Sequence, residues 1–212
     1  MVLVVWNGED YLDACLGSVL AQTRPPKRLV VIDNDSHDRS REMVRAFEAR
    51  AGAVDMAMTM IEEEVNTGFT AAANRGLASL LSAGDDLQFA ALINQDAALE
   101  PEWCEAVAAV FDEIPEAGAV GSKILLPNGK TIQHAGAYLE RPRLVGCHFG
   151  HHLEHQPGEF NAVREVEYVT AAAVALRVAT LREVGIFDTV FSPGYYEDTD
   201  WCIRARAALR LR

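Results

Sequence analysis

The 212-residue sequence predicts an α/β fold, with a mostly parallel sheet that carries helices on both faces. Three observations support this prediction. Short apolar segments of strand length alternate with segments of helical periodicity along the first half of the chain. A polar cluster follows each strand, at the carboxyl end of the strand, which is the place where parallel sheets bind ligands. Half of the residues are apolar and 24% are charged, which is a globular composition.

In the first half, each predicted strand is an apolar run that ends in polar turn residues, as strands buried on both faces do. The helices have apolar residues three or four positions apart, such as Leu12, Cys15, Leu16 and Val19. In chain order, the strands are predicted at 2–5, 29–32, 56–61 and 89–93, and the helices at 9–20, around 43–47, at 69–81 and at 101–114. Successive right-handed crossovers would make these strands parallel.

The second half has a different rhythm. Residues 119–126 and 131–139 predict a strand pair joined by a tight turn at 127–130. Residues 141–161 are rich in Gly, His and Pro and predict a long loop. The last predicted elements are a strand at 165–176, a short helix at 178–184, a turn at 185–188 and a helix that begins near Glu197.

Charge limits the function classes. Nineteen Lys and Arg against 31 Asp and Glu give a net charge of −12, which argues against broad binding to nucleic acid. An anionic ligand would need a metal, a helix N-terminus or a few placed cations. We see no membrane-length apolar stretch and no signal peptide, and the four cysteines form no C-x-x-C pair, so we expect a cytoplasmic protein with reduced thiols.

Four polar clusters lie at strand ends, at 6–7, 33–35, 66–68 and 94–96, and the last three contain candidate ligand contacts. Asp33 could accept hydrogen bonds from a base or a ribose, or it could only cap the next helix. Gly68, in the Asn66–Gly68 turn, would let the backbone approach a ligand, and Asn74 could face the cleft or lie on an exposed helix face. The chain has neither a Walker A loop nor a Gly-x-Gly-x-x-Gly after the first strand, which counts against a dinucleotide cofactor.

The last of these clusters is Asn94-Gln95-Asp96. Its aspartate could hold a divalent cation, because such ions prefer oxygen ligands, and the cation would neutralise a diphosphate. An Asx turn would account for Asp96 alone, but it does not explain why Asn94 and Gln95 are also polar.

A fourth candidate site is the acidic run from Glu197 to Asp200, which follows Tyr195 and Tyr196. Acids stabilise helix N-termini, but a carboxylate beside aromatic rings also suits sugar binding and general base catalysis. Arg204 could pair with these acids. The histidines at 148, 151, 152 and 155 could bind a metal, but no known ligand spacing is complete, so we favour a loop over the cleft.

Together these motifs resemble family 2 glycosyltransferases of the GT-A fold, over nearly the whole chain. The matching segments are 4–7, 12–23, 30–40, 66–76, 94–96, 170–188 and 196–200 with Arg204. Segment 123–136 is similar to bacterial members, including rhamnosyltransferases of surface polysaccharide synthesis. The resemblance implies a small antiparallel extension on the acceptor side. It also implies one domain, with a nucleotide-sugar-binding half at 1–117 and an acceptor-side half at 118–212.

The resemblance further implies an inverting transfer from a UDP- or dTDP-sugar, dTDP-rhamnose among them, to a hydroxyl of a glycan or lipid-linked acceptor. A lipid-linked acceptor would bring the protein to the inner face of the membrane. Asp96 would bind Mg²⁺ or Mn²⁺, Asp198 would be the base, Glu197 would orient the base or the acceptor, and Asp33 would contact the nucleobase. The remaining donor contacts it implies are Asn7, Asn34, Asn66, Gly68, Asn74, Asn94, Gln95, Thr170 and Ala171.

Two departures from the family pattern leave alternatives open. Asn94 stands where the first acid of Asp-x-Asp is usual, and the chain stops twelve residues after Asp200, which suggests a truncated acceptor-side half. A catalytically impaired module that binds a nucleotide or glycan is therefore one alternative. A nucleotidyltransferase is another, but the acidic turn at 6–10 would repel a triphosphate.

Overall fold

The structure is a computed structural model that describes residues 1–84, 86–154 and 158–210. Its first half alternates strands and helices as predicted, with ends that shift by at most three residues, except that the second helix is longer than the predicted 43–47. In chain order the elements are β1 (Val2–Val5), α1 (Leu12–Leu20), β2 (Arg28–Asp33), α2 (Ser40–Gly52), β3 (Ala57–Glu62), α3 (Phe69–Ser82), β4 (Phe89–Asn94) and α4 (Trp103–Glu113).

The second half contains shorter strands. These are β5 (Ala119–Gly121), β6 (Ile124–Leu125), β7 (Ile132–His134), β8 (Ala137–Glu140), β9 (Val145–His148) and β10 (Ala173–Arg177). Two helices follow, α5 (Val178–Val184) and α6 (Glu197–Arg210), with a 3-10 turn at Thr189–Phe191 between them. None of the helices in the described ranges is long and apolar enough to cross a membrane.

The central sheet has six strands in the order β3-β2-β1-β4-β10-β5. The first four are parallel, and β10 runs antiparallel to both of its neighbours. This register brings the carboxyl ends of the strands together, because Val5 pairs with Asp33 and Val4 pairs with Asn94. The predicted polar clusters therefore meet at one edge of the sheet.

Both faces of the sheet are covered, which is why its strands are continuous apolar runs. Val2 packs with Leu77 of α3 and Trp201 of α6 on one face. The next residue, Leu3, packs with α1 and α2 on the other face, where Phe47 is 2% exposed. Since β10 lies between β4 and β5, both halves of the chain contribute to this one sheet. The 1–117 and 118–212 division stays a prediction.

The predicted strand pair of 119–126 and 131–139 is wrong in its extent. The first strand breaks at Ser122, whose hydroxyl donates to the Ala173 carbonyl at 3.0 Å and accepts from the indole of Trp103 at 2.7 Å. Only β6 and β7 pair with each other. Gly136, at φ 85°, turns the chain after β7, and the chain then pairs β8 with β9. The latter strand lies inside the segment that was predicted to be a loop.

The predicted strand at 165–176 begins only at Ala173. Before Ala173, the backbone amides form hydrogen bonds outside the central sheet. The amides of Glu167 and Tyr168 donate to the Ala137 carbonyl, and the Ala171 amide donates to the Asp198 side chain. Long-range partners therefore replace the ladder that the apolar pattern suggested.

Candidate active site

A cleft of about 740 Å³ lies at the carboxyl ends of β1, β2 and β4, facing the start of α6. Ten of the thirteen predicted site residues line it, namely Asn34, Asn66, Gly68, Asn94, Gln95, Asp96, Thr170, Ala171, Glu197 and Asp198. The lining does not include Asn7, Asp33 or Asn74. Trp6, from the predicted cluster at 6–7, also lines it, as do residues that the sequence did not indicate, among them Gly146 and Tyr168.

Asn34 holds one side of the cleft in place. Its amide nitrogen donates to Asn66 Oδ1 at 3.0 Å, and its oxygen accepts from the amide of Thr67 at 2.9 Å. It is 2% exposed, so these bonds satisfy a buried polar group. The structure therefore shows Asn34 tying the end of β2 to the turn that precedes α3.

Gly68 begins α3 at φ 80° and ψ 167°, a region of backbone conformation that only glycine adopts readily. A Cβ atom there would lie 2.6 Å from both the Cα and the carbonyl oxygen of Pro193. In this structure the backbone that comes near Gly68 is that of Pro193, and the predicted close approach to a ligand stays a prediction.

We expect Gly68→Ala to lower the free energy of unfolding by about 2 kcal/mol or more, from backbone strain and the collision with Pro193. Urea unfolding followed by circular dichroism would measure it. Gly17→Ala is the control, because Gly17 is helical with open space around it and alanine favours helices. Equal stability of the two variants would contradict this interpretation.

The Asn94-Gln95-Asp96 turn is held by its middle residue. Gln95 Oε1 accepts from the amide of Trp6 at 2.8 Å, and Gln95 Nε2 donates to the carbonyl of Trp6 at 3.0 Å. The side chain thus extends the pairing of β1 with β4 by one more backbone unit. This clamp explains a residue that an Asx turn leaves unexplained, and it leaves the exposed Asp96 at the cleft.

The described part of the cleft lining contains three carboxylates, those of Asp96, Glu197 and Asp198, and neither lysine nor arginine. A diphosphate would be repelled unless a cation accompanied it. The Asp96 carboxylate and the Asn94 amide oxygen are hard ligands that suit Mg²⁺ or Mn²⁺. No group of three metal-ligating His, Cys, Asp or Glu occurs within the described residues, which include the histidines at 148, 151 and 152; His155 lies outside them. A magnesium ion can be completed by substrate phosphates and water, so the residues present fit it.

Asp33 is fully buried at the end of β2, and one of its oxygens accepts from Arg41 Nε at 2.5 Å and from the Ser36 amide at 3.2 Å. Its other oxygen, Oδ1, has no partner within the described residues. Asn7, at φ 47°, accepts from the His37 amide at 2.8 Å and so joins the β1 turn to the β2 turn. Both residues therefore stand beside the lining of the cleft rather than in it.

Asn74 has a different position from the one expected. Its amide nitrogen donates to the carbonyl of Phe187 at 2.8 Å, and its oxygen accepts from the amide of Phe187 at 3.0 Å. The side chain is buried, and both its nitrogen and its oxygen bond to the backbone of Phe187, a residue 113 positions further along the chain. We therefore correct the predicted donor contact of Asn74 to a structural link between α3 and the turn after α5.

The first residues of α6 bring two acids into the cleft. Asp198 Oδ2 accepts from the Ala171 amide at 2.9 Å, and Oδ1 accepts from the Thr199 amide at 2.6 Å. Glu197 is 5% exposed, and its Oε2 has no partner within the described residues. Burial raises the pKa of Glu197, and the nearby charge of Asp198 raises it further. Glu197, beside the half-buried Asp198, is thus held where its charged form is destabilised.

This burial predicts a pH effect on stability. An acid whose pKa is higher in the folded state than in the unfolded state binds more protons when folded, so stability falls as pH rises from the ordinary value of 4.5 through the raised one. We expect Glu197→Gln to raise the melting temperature at pH 7 relative to the wild type. The difference in melting temperature should shrink as the pH falls to 4. A Glu197→Gln variant that is less stable than the wild type at pH 7 would contradict this prediction.

Two tyrosines before α6 have strained backbones. Tyr195 and Tyr196 have φ angles of 76° and 69°, which non-glycine residues rarely adopt. The Tyr195 side chain is 87% exposed at the cleft, where an aromatic ring is available for stacking. Strain of this kind concentrates at functional sites. Further along α6, Arg204 pairs with Asp200 at 2.7 Å, as the spacing of four residues predicts.

Comparison with known proteins agrees with this geometry. The model of the family described as "Glycosyl transferase family 2" matches residues 1–141. A glucosyl-dolichyl phosphate glucuronosyltransferase of Haloferax volcanii is 28% identical over 194 residues, which cover 89% of this chain and 55% of that protein. The O-antigen biosynthesis protein RfbC of Myxococcus xanthus is 29% identical over 189 residues, or 86% of this chain and 14% of RfbC. The chain thus spans about half, or less, of the length of these relatives.

Solved structures share the fold. S. aureus TarS 1–349 in complex with UDP aligns with a TM-score of 0.66 at 18% identity, over 96% of this chain and 53% of that one. Mannosyltransferase PcManGT from Pyrobaculum calidifontis, with GDP-Man and Mn²⁺, aligns with a TM-score of 0.61 at 19% identity, over 94% and 49%. The predicted GT-A architecture is thereby confirmed. Because the family model matches residues 1–141, well over half of its length, the chain belongs to glycosyl transferase family 2.

Proposed function

We propose that this chain transfers a sugar from a nucleotide-diphosphate sugar to an acceptor hydroxyl, with inversion at the anomeric carbon. The observation that carries the proposal is the placement of Asp96 and Asp198 in one cleft whose described lining has acids and no lysine or arginine. Asp96 comes from a strand end and Asp198 from the start of a helix, so the two acids reach the cleft from different elements. One is suited to a metal–diphosphate and the other to a reacting hydroxyl.

In this mechanism, Asp198 accepts the proton of the acceptor hydroxyl as that oxygen attacks the anomeric carbon. The amides of Ala171 and Thr199 hold its carboxylate, which limits its rotation. Glu197, buried beside it, positions the base or the acceptor. Mg²⁺ or Mn²⁺, held by Asp96 with the Asn94 amide, would stabilise the negative charge of the leaving diphosphate.

The nucleoside would lie at the ends of β1 and β2. There the unpartnered Asp33 Oδ1 is a buried acceptor suited to an N–H group of a base, and Asn7 shapes the adjoining turn. Asn34, Asn66, Gly68 and Gln95 would form the floor under the donor, and Thr170 and Ala171 would border its sugar.

The printed names of relatives and neighbours suggest the substrate class. Structural neighbours bind UDP, UDP-GlcNAc or GDP-Man, and one relative acts on a dolichyl phosphate-linked sugar. Another serves O-antigen biosynthesis. We therefore propose a UDP-sugar donor and a glycan or lipid-linked acceptor of surface polysaccharide. A dTDP-sugar such as dTDP-rhamnose is proposed beside it, because segment 123–136 resembles rhamnosyltransferases. A lipid-linked acceptor would place the reaction at the cytoplasmic face of the membrane.

Calorimetric titration of UDP, dTDP and GDP, each with and without Mn²⁺, tests the proposal. At least one nucleotide should bind, and it should bind more tightly with the metal. Absence of binding, or binding that ignores Mn²⁺, would contradict the proposal. An assay for nucleotide release from the matching sugar donor then distinguishes the two alternatives. Release indicates an enzyme, whereas binding without release indicates the non-catalytic binding module, which the replacement of an acid by Asn94 would favour.

A further inference from the structure

One wall of the cleft comes from a segment that the sequence predicted to be a loop. Gly146 and His148 both line the cleft, and their spacing of two residues places them on the same face of β9. The Tyr196 hydroxyl accepts from the Gly146 amide at 3.4 Å and donates to the Leu144 carbonyl at 3.5 Å. The β8–β9 hairpin is thereby joined to the residues that precede Asp198.

The His148 ring is held from several sides. Its Nδ1 lies 3.2 Å from Nδ1 of His134, and the two rings are nearly perpendicular, at 89°. The ring also stands edge-on to Tyr168, with centroids 5.9 Å apart. A ring fixed in this way loses little conformational entropy when it binds a ligand. His148 is therefore organised before any substrate arrives.

The neighbouring His134 is a neutral support. It is 1% exposed, and burial lowers its pKa to about 3, so it is uncharged at physiological pH. Two neutral imidazoles can share one hydrogen bond, in which one nitrogen donates and the other accepts. The carbonyl of Gln133 also contacts the His148 ring and accepts from His151 Nδ1 at 2.8 Å. A sugar hydroxyl both donates and accepts, so it can pair with an imidazole nitrogen in either tautomer of His148.

The surroundings favour the acceptor over the donor as the partner of His148. The proposed contacts of the nucleoside and the diphosphate lie at strand ends, whereas His148 lies on the hairpin wall with Tyr196, near the charge of Asp198. Since Asp198 must face the attacking hydroxyl, the acceptor sugar would occupy the space between this acid and the hairpin. Tyr195 and Tyr196 add aromatic surface to the same region.

We propose that His148 is an acceptor-binding residue, whose imidazole hydrogen-bonds a hydroxyl of the acceptor sugar next to the one that reacts. This inference rests on the proposed transferase function. It adds a residue from β9, and it makes the β8–β9 hairpin the element that selects the acceptor.

The test uses p-nitrophenyl glucoside, galactoside, mannoside and rhamnoside as acceptor probes. The protein is saturated with Mg²⁺ and whichever of UDP, dTDP or GDP binds in the titration above, and its histidines are ¹⁵N-labelled. At least one glycoside should shift the His148 ring signals, which are assigned by their loss in His148→Gln. We expect His148→Ala to weaken glycoside binding about tenfold, the value of one hydrogen bond. His148→Gln should recover part of the loss.

Two further measurements make the result specific. The Kd of the nucleotide should stay within about twofold of the wild type in both variants, because a donor contact is not involved. His152→Asn is the matched control: His152 is exposed, lies outside the cleft lining and has φ 64°, which asparagine tolerates. It should bind glycosides as the wild type does.

The inference is overturned if nucleotide binds but no glycoside perturbs the His148 ring, or if His148→Ala binds glycosides normally. An equal loss of nucleotide and glycoside affinity would also overturn it, since that loss would reflect a damaged cleft. Failure of the wild type to bind any nucleotide is a separate result, seen before a glycoside is added, and it contradicts the proposed function itself.

Discussion

Asp198→Asn is expected to reduce the rate of sugar transfer by about 10²- to 10⁴-fold, the usual contribution of a general base. An amide fills nearly the same space as a carboxylate but cannot accept the hydroxyl proton. Because Asp198 belongs to α6 and not to the strand ends, nucleotide binding in the presence of Mn²⁺ should stay within about threefold of the wild type. Single-turnover transfer and calorimetry would measure the two quantities.

Asp200→Asn is the matched control for this variant. Asp200 lies two residues further along the same helix and pairs with Arg204, and it is not part of the cleft lining. It should therefore transfer sugar at close to the wild-type rate after folding is checked by melting temperature. Since an amide at 198 could disturb the bond from the Ala171 amide, Asp198→Ala should be measured alongside. Near-normal transfer by both Asp198 variants would exclude Asp198 as the base.

Asp96→Ala should remove the metal-dependent part of nucleotide binding and lower kcat/KM by about 10²- to 10³-fold, which corresponds to several kcal/mol of charge stabilisation. The physical reason is the charge of the cleft. Glu197 and Asp198 are still present and the described lining has no lysine or arginine, so a diphosphate without its cation is repelled by acids and neutralised by neither. Titration of the nucleotide at increasing Mn²⁺ would show the loss.

Asn94→Asp is the complementary variant. It supplies the acid that the family pattern has at this position, so it should bind the Mn²⁺–nucleotide complex more tightly than the wild type. A second carboxylate strengthens attraction for a divalent cation. If Asp96→Ala keeps its full response to Mn²⁺, then Asp96 is not the metal ligand, whatever the Asn94 variant does.

The sequence was most informative where local pattern and tertiary role coincide. The first four strands are apolar runs because both faces of the sheet are covered, so their positions and the gathering of Asn34, Asn94 and Asp96 at one edge could be predicted. The acids that begin α6 could also be predicted from local pattern, because an acidic run before a helical segment indicates a helix N-terminus.

Contacts between distant segments could not be predicted in this way. Asn74 bonds to Phe187, 113 residues away, and Gln95 bonds to Trp6, 89 residues away, and no spacing rule indicates either partner. The β8–β9 hairpin was missed because β9 has only four residues and contains Gly and Cys, a composition that resembles a loop, and because most of β8 was assigned to the predicted strand at 131–139. The segment of His148 was predicted to be a loop over the cleft, so the sequence did not indicate that this residue lies on a strand of the cleft wall.

The most direct test of the central claim is a crystal structure of this chain with UDP and Mn²⁺, or with dTDP or GDP if titration favours one of them. Data collected at the manganese absorption edge would locate the ion. We predict an anomalous peak within coordinating distance of Asp96, bridged to a diphosphate in the cleft that Asp198 lines. A peak elsewhere, or a nucleotide bound in the second cavity between β5 and α6, would contradict the account.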